Sequence, residues 1–429
     1  MRIIIAIVVC LLASSLSASG VFDVIESFAE RAAEASVSSE VEVVELFHAE
    51  TPEELEAALT DGYPMPWLAE ILNDESIPEE DRYWLDCRMR AVIAQDLHLF
   101  FDEEGNPVYV EADWIRYGES YWQEHFIVNP IGEQPRGEIN LVTGLWGETG
   151  FVYNRYGEQT GELALCEEWM YLSRDGTIGL LIHRGSERVT EYGPAYLYFV
   201  YDNGTYHKNP NELWIYDYTL SQSGNRALLV QRAQNEPDPI QMFDRNGNVL
   251  WEQQAVATAV SASLSISSND GLCCVPSNDR DPITHYLQVF NATSGYEVES
   301  YQEQGVASTF TPNGEFLCIG AGLCASSSDL INTHLVQMPD RNLSATYLSC
   351  NNNADRCAAM VHPSGRFTPE EAKLAVWSEE DGFILKQSFE QGEFILLSPN
   401  GVFVLVMPAN PHRWVSPTPC NIWLIRGER

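Results

Sequence analysis

Lysine is nearly missing from this sequence of 429 residues, where only Lys208, Lys373 and Lys386 occur. All Lys and Arg residues together number 24, against 62 Asp and Glu, so the formal net charge is −38 at pH 7. Nucleic acids and anionic membrane surfaces attract cationic side chains. The charge balance therefore predicts no nucleic-acid partner. It is compatible with a salty or calcium-rich medium, or with a basic partner.

Several motifs of catalysis and metal binding are also missing. The sequence contains no C-x-x-C pair, no G-x-S-x-G and no H-E-x-x-H, and its 9 histidines are scattered. These absences exclude zinc fingers, the serine hydrolase elbow and zinc peptidase helices. They leave open an acid–base carboxylate pair of a carbohydrate-active lyase or hydrolase, because no sequence shows distances in space. No cofactor is predicted.

Long apolar runs are confined to the first 20 residues. Arg2 precedes an apolar run over residues 3–13, and the small residues Ala18, Ser19 and Gly20 follow it. This tripartite pattern is typical of a secretory signal peptide, and the run is shorter than the about 20 residues that span a bilayer. We expect cleavage near Gly20 and a mature chain without a transmembrane segment, in the periplasm or outside the cell.

Cysteine usage agrees with export. One of the 10 cysteines, Cys10, lies in the expected signal peptide. The remaining number is odd, so at least one thiol stays free or pairs between chains. The pairs that would close short local loops are the predicted disulfides, namely Cys318 with Cys324 and Cys350 with Cys357. Burial as a small apolar side chain is the alternative for Cys87 and Cys166.

An acidic region precedes the rest of the chain. Residues 21–136 contain 28 acidic and 6 basic side chains, and helix signals are concentrated between residues 51 and 97. Thr51 is the predicted N-cap of a first helix that begins at Pro52, and Pro66 can open a second. Pro78 can open a third helix, which has one apolar face and ends before residues 102–107. We therefore predict a signal peptide over 1–20, an acidic helical region over 21–106, and an irregular connection or atypical first blade over 107–136. The acidity is typical of a solvated face, while calcium binding, high salt or a basic partner are its alternatives.

From residue 137 on, turn signals recur at intervals of roughly 45 residues. Each has a Ser, Thr or His-Pro start, a small polar residue and a glycine before an apolar run. The turn glycines are Gly176, Gly224, Gly271, Gly314, Gly365 and Gly401. A second hairpin lies about halfway through the intervals, most clearly at residues 242–251, 289–298 and 375–384.

Two hairpins per repeat give four antiparallel strands, which is the blade of a β-propeller. The sequence thus predicts a mostly β fold, with a six- or seven-bladed propeller over residues 137–429 preceded by the small acidic α-helical region. The strand at residues 421–425 is expected to close the ring with a strand from the start of the domain. An open β-sandwich is the alternative.

One repeat carries a recognisable signature, Asp244-x-x-Gly247-x-x-x-Trp251. The units resemble those of exported WD-repeat-like and quinoprotein-like propellers. The quinoprotein resemblance implies pyrroloquinoline quinone with calcium, a cofactor near a vicinal cysteine pair and a docking tryptophan. The residues that would serve are Cys273, Cys274 and Trp251. The resemblance covers the repeats and not the helical region.

Asp244, Asn246 and Asn248 have oxygen side chains that could ligate calcium, but their spacing also fits a hairpin turn. The leading hypothesis is an exported, non-catalytic propeller that binds an unknown protein or small ligand. The alternatives are an exported propeller enzyme, either a quinoprotein-like oxidoreductase or a carbohydrate-active lyase or hydrolase, and a calcium-dependent surface module.

Overall fold

The structure is a computed structural model. It describes residues 41–60, 62–110, 127–128, 141–144, 150–154, 156–163, 170–173, 178–184, 195–201, 205–211, 213–232, 238–256, 258–259, 264–280, 283–303, 307–311, 313, 317–321, 333–337, 343–363, 373–378, 380–388, 393–408 and 420–427. The helices in this part of the chain are α1 (Pro52–Ala58), α2 (Pro66–Leu72) and α3 (Glu79–Leu97).

Thirty strands account for most of the remaining described residues. They are β1 (Val41–Ala49), β2 (Leu99–Phe101), β3 (Pro107–Tyr109), β4 (Ile127–Val128), β5 (Leu141–Gly144), β6 (Gly150–Tyr153), β7 (Gln159–Leu163), β8 (Met170–Leu172), β9 (Ile178–Arg184), β10 (Ala195–Tyr201), β11 (Tyr206–Lys208), β12 (Ile215–Leu220), β13 (Arg226–Gln231), β14 (Pro239–Asp244), β15 (Val249–Gln254), β16 (Thr258–Ala259), β17 (Ser265–Ile266), β18 (Leu272–Arg280), β19 (Ile283–Asn291), β20 (Glu297–Glu303), β21 (Ala307–Phe310), β22 (Leu317–Ala321), β23 (Thr333–Gln337), β24 (Leu343–Cys350), β25 (Arg356–Pro363), β26 (Lys373–Ser378), β27 (Gly382–Ser388), β28 (Glu393–Leu397), β29 (Phe403–Pro408) and β30 (Cys420–Gly427).

These strands form consecutive small sheets, which we number in chain order. Sheet 1 is β4–β7, sheet 2 is β8–β11, sheet 3 is β12–β15, sheet 4 is β16–β20, sheet 5 is β21–β23, sheet 6 is β24–β27, and sheet 7 is β28–β30 with β1. Sheets 1, 2, 3, 6 and 7 have four strands, and in sheet 4 both β16 and β17 pair with β18. Within sheets 1, 2, 3, 6 and 7, strands adjacent in the chain pair antiparallel.

Consecutive sheets pack face to face through apolar side chains. Phe199 of sheet 2 and Phe243 of sheet 3 share one buried cluster, and Met242 of sheet 3 and Val275 of sheet 4 share the next. A third cluster joins sheets 6 and 7. Four-stranded meanders that follow one another and bury their faces in this way form a β-propeller, so the predicted fold class is confirmed. The number of blades, six or seven, stays a prediction.

Sheet 5 departs from the predicted antiparallel blade. It has three strands in the described part of the chain, and its strands β22 and β23 pair in parallel. A parallel pair needs a crossover rather than a tight turn. Residues 322–332, which separate the two strands, lie outside the described residues.

The last sheet is completed by the first described strand. β1 pairs antiparallel with β30, from Val41 opposite Gly427 to Ala49 opposite Cys420. The final strand was expected to pair with a strand from the start of a domain beginning at residue 137, but its partner β1 lies before the helices. The assignment of all of residues 21–106 to a helical region is wrong, because β1 belongs to the propeller. The acidic residues of β1 make its alternation of apolar and polar side chains hard to recognise in the sequence. In the structure, Val41 and Val43 pack toward sheet 6.

The predicted helix starts are confirmed. Thr51 Oγ1 accepts from the backbone N–H of Glu54 at 3.3 Å, and Pro52 is the first helical residue of α1. Along α3 the predicted apolar face is buried at Leu85, Met89 and Ile93. Each of these side chains contributes to one cluster with α1, α2 and sheet 7.

The helical unit, which we define as residues 52–97, covers the face of sheet 7 that points away from sheet 6. Phe403 and Leu405 of β29 lie in the cluster with the helices, whereas Val404 and Val406 of the same strand pack against sheet 6. Helix α3 also reaches sheet 1, since Ala94 lies in a cluster against which Tyr153 packs. The helices therefore lie between the last sheet and the first.

The hairpin β2–β3 carries a turn of the blade type. Asp102 accepts from Asn106 through its backbone N–H at 2.6 Å and its side-chain amide at 2.9 Å, as Asp244 does from Asn248 in sheet 3. Residues 101–106 read FDEEGN and residues 243–248 read FDRNGN. The sequence interpretation of residues 102–107 as only a helix stop was incomplete, because this hairpin follows.

The first turns of the sheets only partly follow the predicted glycines. Gly224 and Gly401 have positive φ of 71° and 72°, as expected. Gly271 lies beside the turn, but the positive φ there is that of Asp270, at 56°. The Asp270 carboxylate accepts from Ser223 Oγ and Asn225 Nδ2 in the first turn of sheet 3.

The first turn of sheet 6 lies earlier in the chain than the predicted Gly365. Strand β25 extends through residues 361–363, and the first turn of this sheet lies at residues 351–355. There Ala354 has a φ of 58° and donates its N–H to Asn351 O at 3.1 Å. Because the turn at residues 351–355 contains no glycine, the sequence pattern indicated the next Ser-Gly pair instead. Gly176, Gly314 and Gly365 themselves lie outside the described residues.

Candidate binding surface at the seam of sheets 3 and 4

Trp251 joins sheet 3 to sheet 4. Its indole Nε1 donates to the carbonyl oxygen of Ala292 at 2.9 Å, and its ring centroid lies 5.8 Å from that of Phe290. A Cβ atom on Gly295 would lie 2.7 Å from Cγ of Trp251, so the indole packs directly on the glycine backbone. The contact fixes the outer strand of sheet 3 against the β19–β20 turn of sheet 4.

Local hydrogen bonds hold this β19–β20 turn in shape. Asn291 Oδ1 accepts from the backbone N–H of Thr293 at 3.1 Å and from that of Ser294 at 2.9 Å. Gly295 follows with a φ of 72°, a conformation that glycine adopts without steric cost. The turn therefore presents its next residue, Tyr296, outward beside the docked Trp251.

The same seam exposes apolar side chains. Val249 is 47% exposed, Leu250 is 40% exposed and Tyr296 is 77% exposed. Leu250 is next to Trp251 and Tyr296 is next to Gly295 along the chain, whereas Val249 is paired with Phe243, whose ring packs toward sheet 2. We call these three residues the seam patch. Exposed apolar side chains that cluster, rather than scatter singly, are typical of interaction surfaces.

Carboxylates border the seam patch. Glu252 Oε2 accepts from Gln241 Nε2 at 2.7 Å, and Glu297 Oε2 accepts from Gln288 Nε2 at 2.9 Å. Neutral amides fix both groups in place without cancelling their negative charge. Arg245, in the turn before β15, adds one positive charge nearby. Glu252 is opposite Gln241, on the face of sheet 3 that points away from sheet 4, whereas Glu297 is opposite Phe290 on the face of sheet 4 toward sheet 3.

The proposed calcium oxygens form a hairpin turn. Asp244 Oδ1 accepts from the backbone N–H groups of Asn246 and Asn248, each at 2.9 Å. Burial alone would raise the pKa of Asp244, but the hydrogen bonds from Asn248 and Asn246 outweigh it and lower the pKa. Among the described residues, no group of three or more His, Cys, Asp or Glu side chains could hold a metal ion.

Cys273 and Cys274 lie in β18 with their side chains in different clusters. Cys273 packs between sheets 3 and 4, whereas Cys274 packs with Leu287 and Val289 on the other face. Burial raises the pKa of both thiols above the ordinary value. The strand alternation does not present the two sulfur atoms to one ligand, and Trp251 is used in the contact between sheets.

The cysteines of one predicted disulfide face each other. Cys350 and Cys357 are paired residues of β24 and β25, and their sulfur atoms lie 2.6 Å apart. The bond itself stays a prediction. Cys318 lies in β22, while its predicted partner Cys324 lies outside the described residues.

The sequence indicated Trp251 but not the exposed residues around it. A signal for them was present at Gly295 in the next hairpin, because the aromatic Tyr296 follows this glycine at a turn tip, where a side chain has no core to pack into.

The helices in the described part of the chain are too short or too polar to cross a membrane.

No protein-family model matches this chain, and no curated protein matches it. Among solved structures, the β-propeller domain of Cps50 (Swd1) from Myceliophteria thermophila is 13% identical over 73% of this chain and 98% of that chain, with a TM-score of 0.42. The Dos1 propeller is 10% identical over 76% and 80%, with a TM-score of 0.43. A structure titled as the eukaryotic initiation factor is 8% identical over 72% and 77%, with a TM-score of 0.44. Likenesses at this level bear on neither activity nor partner.

Proposed function

We propose that this protein is an exported, non-catalytic β-propeller that acts as a protein-binding scaffold in the cell envelope or outside the cell. The observation that carries the proposal is the seam patch, where Val249, Leu250 and Tyr296 are exposed around a fixed contact between two sheets. A rigid surface loses little conformational entropy when a partner binds. Aromatic residues such as Tyr296 are enriched in binding hot spots.

Site-specific photocrosslinking in cells that make the protein tests this function. A photoreactive phenylalanine analogue replaces Tyr296 in one variant and Tyr109, another exposed tyrosine in the hairpin β2–β3, in the other. We expect a discrete protein adduct from position 296 and none of that mass from position 109. Identical adducts at both positions, or no adduct at either, would contradict a partner surface at the seam.

Export is tested separately. We expect the protein in the periplasmic or external fraction with a mature N-terminus near residue 21, because the first 20 residues have the signal pattern. N-terminal sequencing of the fractionated protein shows whether the first 20 residues have been removed. An intact N-terminus at Met1 in the cytoplasmic fraction would contradict the location and leave the surface itself in place.

A further inference from the structure

His48 lies near the end of β1, where this outer strand pairs with β30. It is opposite Asn421 in the register of the two strands, and its ring Nδ1 is hydrogen bonded to Asn421 Oδ1. The other ring nitrogen, Nε2, lies 2.9 Å from Oε1 of Glu50, the residue that follows β1. One imidazole ring thus connects a side chain of β30 with the segment that leads from β1 into helix α1.

The first turn of α1 holds Glu50 in position. The backbone N–H of Glu50 donates to Glu54 Oε2 at 2.8 Å, and the backbone N–H of Glu54 donates to Thr51 Oγ1 at 3.3 Å. These reciprocal bonds resemble a capping box, in which a Thr cap and a Glu three residues later satisfy backbone donors of the helix start. The contact from His48 therefore reaches the helical unit as well as β30.

Both groups that face the His48 ring are hydrogen-bond acceptors. A neutral imidazole has one N–H donor, whereas the protonated ring has two. Only the protonated ring can therefore donate to Asn421 Oδ1 and to the Glu50 carboxylate at the same time. Asn421 is only 5% exposed, so solvent replaces this bond poorly. The arrangement at the end of β1 fits the charged form of His48.

The charges around His48 also favour its protonated form. Glu45 lies on the same strand, β30 contributes the neutral Asn421, and the titratable side chains of α1 are all carboxylates. β27 of sheet 6, which also contacts β1, carries one cation, Lys386. The hydrogen bond to Asn421 and the charges of Glu50 and Glu45 raise the pKa of His48 above 6.5, although burial lowers it.

We propose that His48 is a pH-sensitive clasp, which in its protonated form fastens the end of β1 to β30 and to the start of α1. When the ring loses its proton, one of the two hydrogen bonds and the attraction to Glu50 are lost. The folded protein holds this proton more tightly than the unfolded chain. The contribution to stability is therefore present below pH 6.5 and is lost as the pH rises through the raised pKa of His48. The clasp lies apart from the seam patch and does not depend on the proposed function.

NMR of the full-length protein with ¹³C-labelled histidine tests the protonation, and the spectrum of His48→Gln assigns the His48 signal. We expect His48 to titrate above pH 6.5 in the parent and at lower pH in Glu50→Gln. Glu56→Gln, which removes the same charge from an exposed position of α1, should leave the titration nearly unchanged. A ring that titrates at or below 6.5 in the parent, or equal shifts in both glutamine variants, would overturn the proposal.

Hydrogen exchange at residues 47–49, corrected for the intrinsic pH dependence of exchange, measures the attachment of β1 itself. Between about pH 5.5 and about pH 8.5 we expect the protection of these amides to fall about two- to fivefold, the range of an exposed ion pair. Glu56→Gln should behave like the parent, whereas His48→Gln should show nearly constant protection. The same pH dependence in His48→Gln as in the parent would assign the effect to another group and overturn the clasp.

Discussion

Trp251 and Gly295 are in direct contact across the boundary between two sheets, with the indole on the glycine backbone. The same kind of contact occurs where Gly247 meets His207, and where Gly157 meets Val108. In each case, a glycine with positive φ in one hairpin turn packs against a side chain from the preceding hairpin in the chain. The propeller is thus held together at its perimeter as well as through its buried faces.

Gly295→Ala should destabilise the protein more than Gly382→Ala. Both glycines have positive φ, 72° and 70°, but a Cβ on Gly382 meets nothing within 4 Å. Each change carries a backbone cost of about 1–2 kcal/mol, and only Gly295→Ala adds overpacking of about 1–3 kcal/mol. Denaturant unfolding measures the difference. Equal losses would show that Trp251 does not press on Gly295.

Gly157→Ala should loosen the hairpin β2–β3 from sheet 1. A Cβ on Gly157 would lie 2.9 Å from Cγ1 of Val108, whereas one on Gly105 meets nothing within 4 Å. We therefore expect Gly157→Ala to lower the unfolding free energy about 1–3 kcal/mol more than the matched control Gly105→Ala. If the control is as destabilised, this hairpin does not pack on sheet 1 as the structure shows.

Asp81→Ala should weaken the attachment of the helical unit to sheet 7. Buried Asp81 accepts from Asn400 through the backbone N–H at 3.0 Å and through Nδ2 at 2.8 Å. Loss of the carboxylate removes two hydrogen bonds to a charged acceptor from half-buried Asn400, at a cost of about 1–3 kcal/mol. Thermal unfolding compares it with Asp74→Ala, whose carboxylate bonds Ser76 in its own turn. A larger loss from Asp74→Ala would contradict the account.

Cys350 and Cys357 should be joined by a disulfide in protein isolated without reductant. Their sulfur atoms already lie 2.6 Å apart on paired strands. Peptide mass mapping without reduction should find the pair linked, and either Cys→Ser variant should lower the melting temperature to the same extent. Cys87→Ser serves as the control. Two free thiols in protein isolated without reductant would contradict the prediction.

Asp244→Asn should show its effect only above acidic pH. Hydrogen bonds lower the pKa of Asp244 below its ordinary 3.8, so its carboxylate stabilises the fold above that value. This contribution is lost as the pH falls through the lowered pKa. The unfolding free energies of variant and parent should differ at pH 7 and converge as the pH falls below the lowered pKa. A constant difference at all pH values would assign the effect to shape instead of charge.

The sequence predicted those parts of the fold that local residues determine. Thr51 and Pro52 start a helix through their own backbone, and the Asp244–Gly247 turn is closed within five residues. Ala354 escaped prediction because a left-handed alanine is permitted only where the surrounding sheet imposes it. β1 escaped it because the pairing of residues 41–49 with residues 420–427 is a contact between chain ends that no local pattern shows.

The seam patch could be predicted only in part. Trp251 and its glycine stood out as a signature, but the exposure of Leu250 and Tyr296 depends on how two sheets meet. Apolar residues in alternating strands usually indicate a buried face. Because β15 lies at the edge of sheet 3, its apolar residues Val249 and Leu250 are exposed instead of buried.

Hydrogen exchange at β1 tests most directly that the propeller begins before the helices, because β1 supplies the outer strand of sheet 7. β1 and β30 pair from Val41 opposite Gly427 to Ala49 opposite Cys420. We expect the paired amides of residues 41–49 to be protected, and to be released together with those of residues 420–427 on unfolding. Rapid exchange at β1 while β30 stays protected would contradict the assignment of β1 to the propeller.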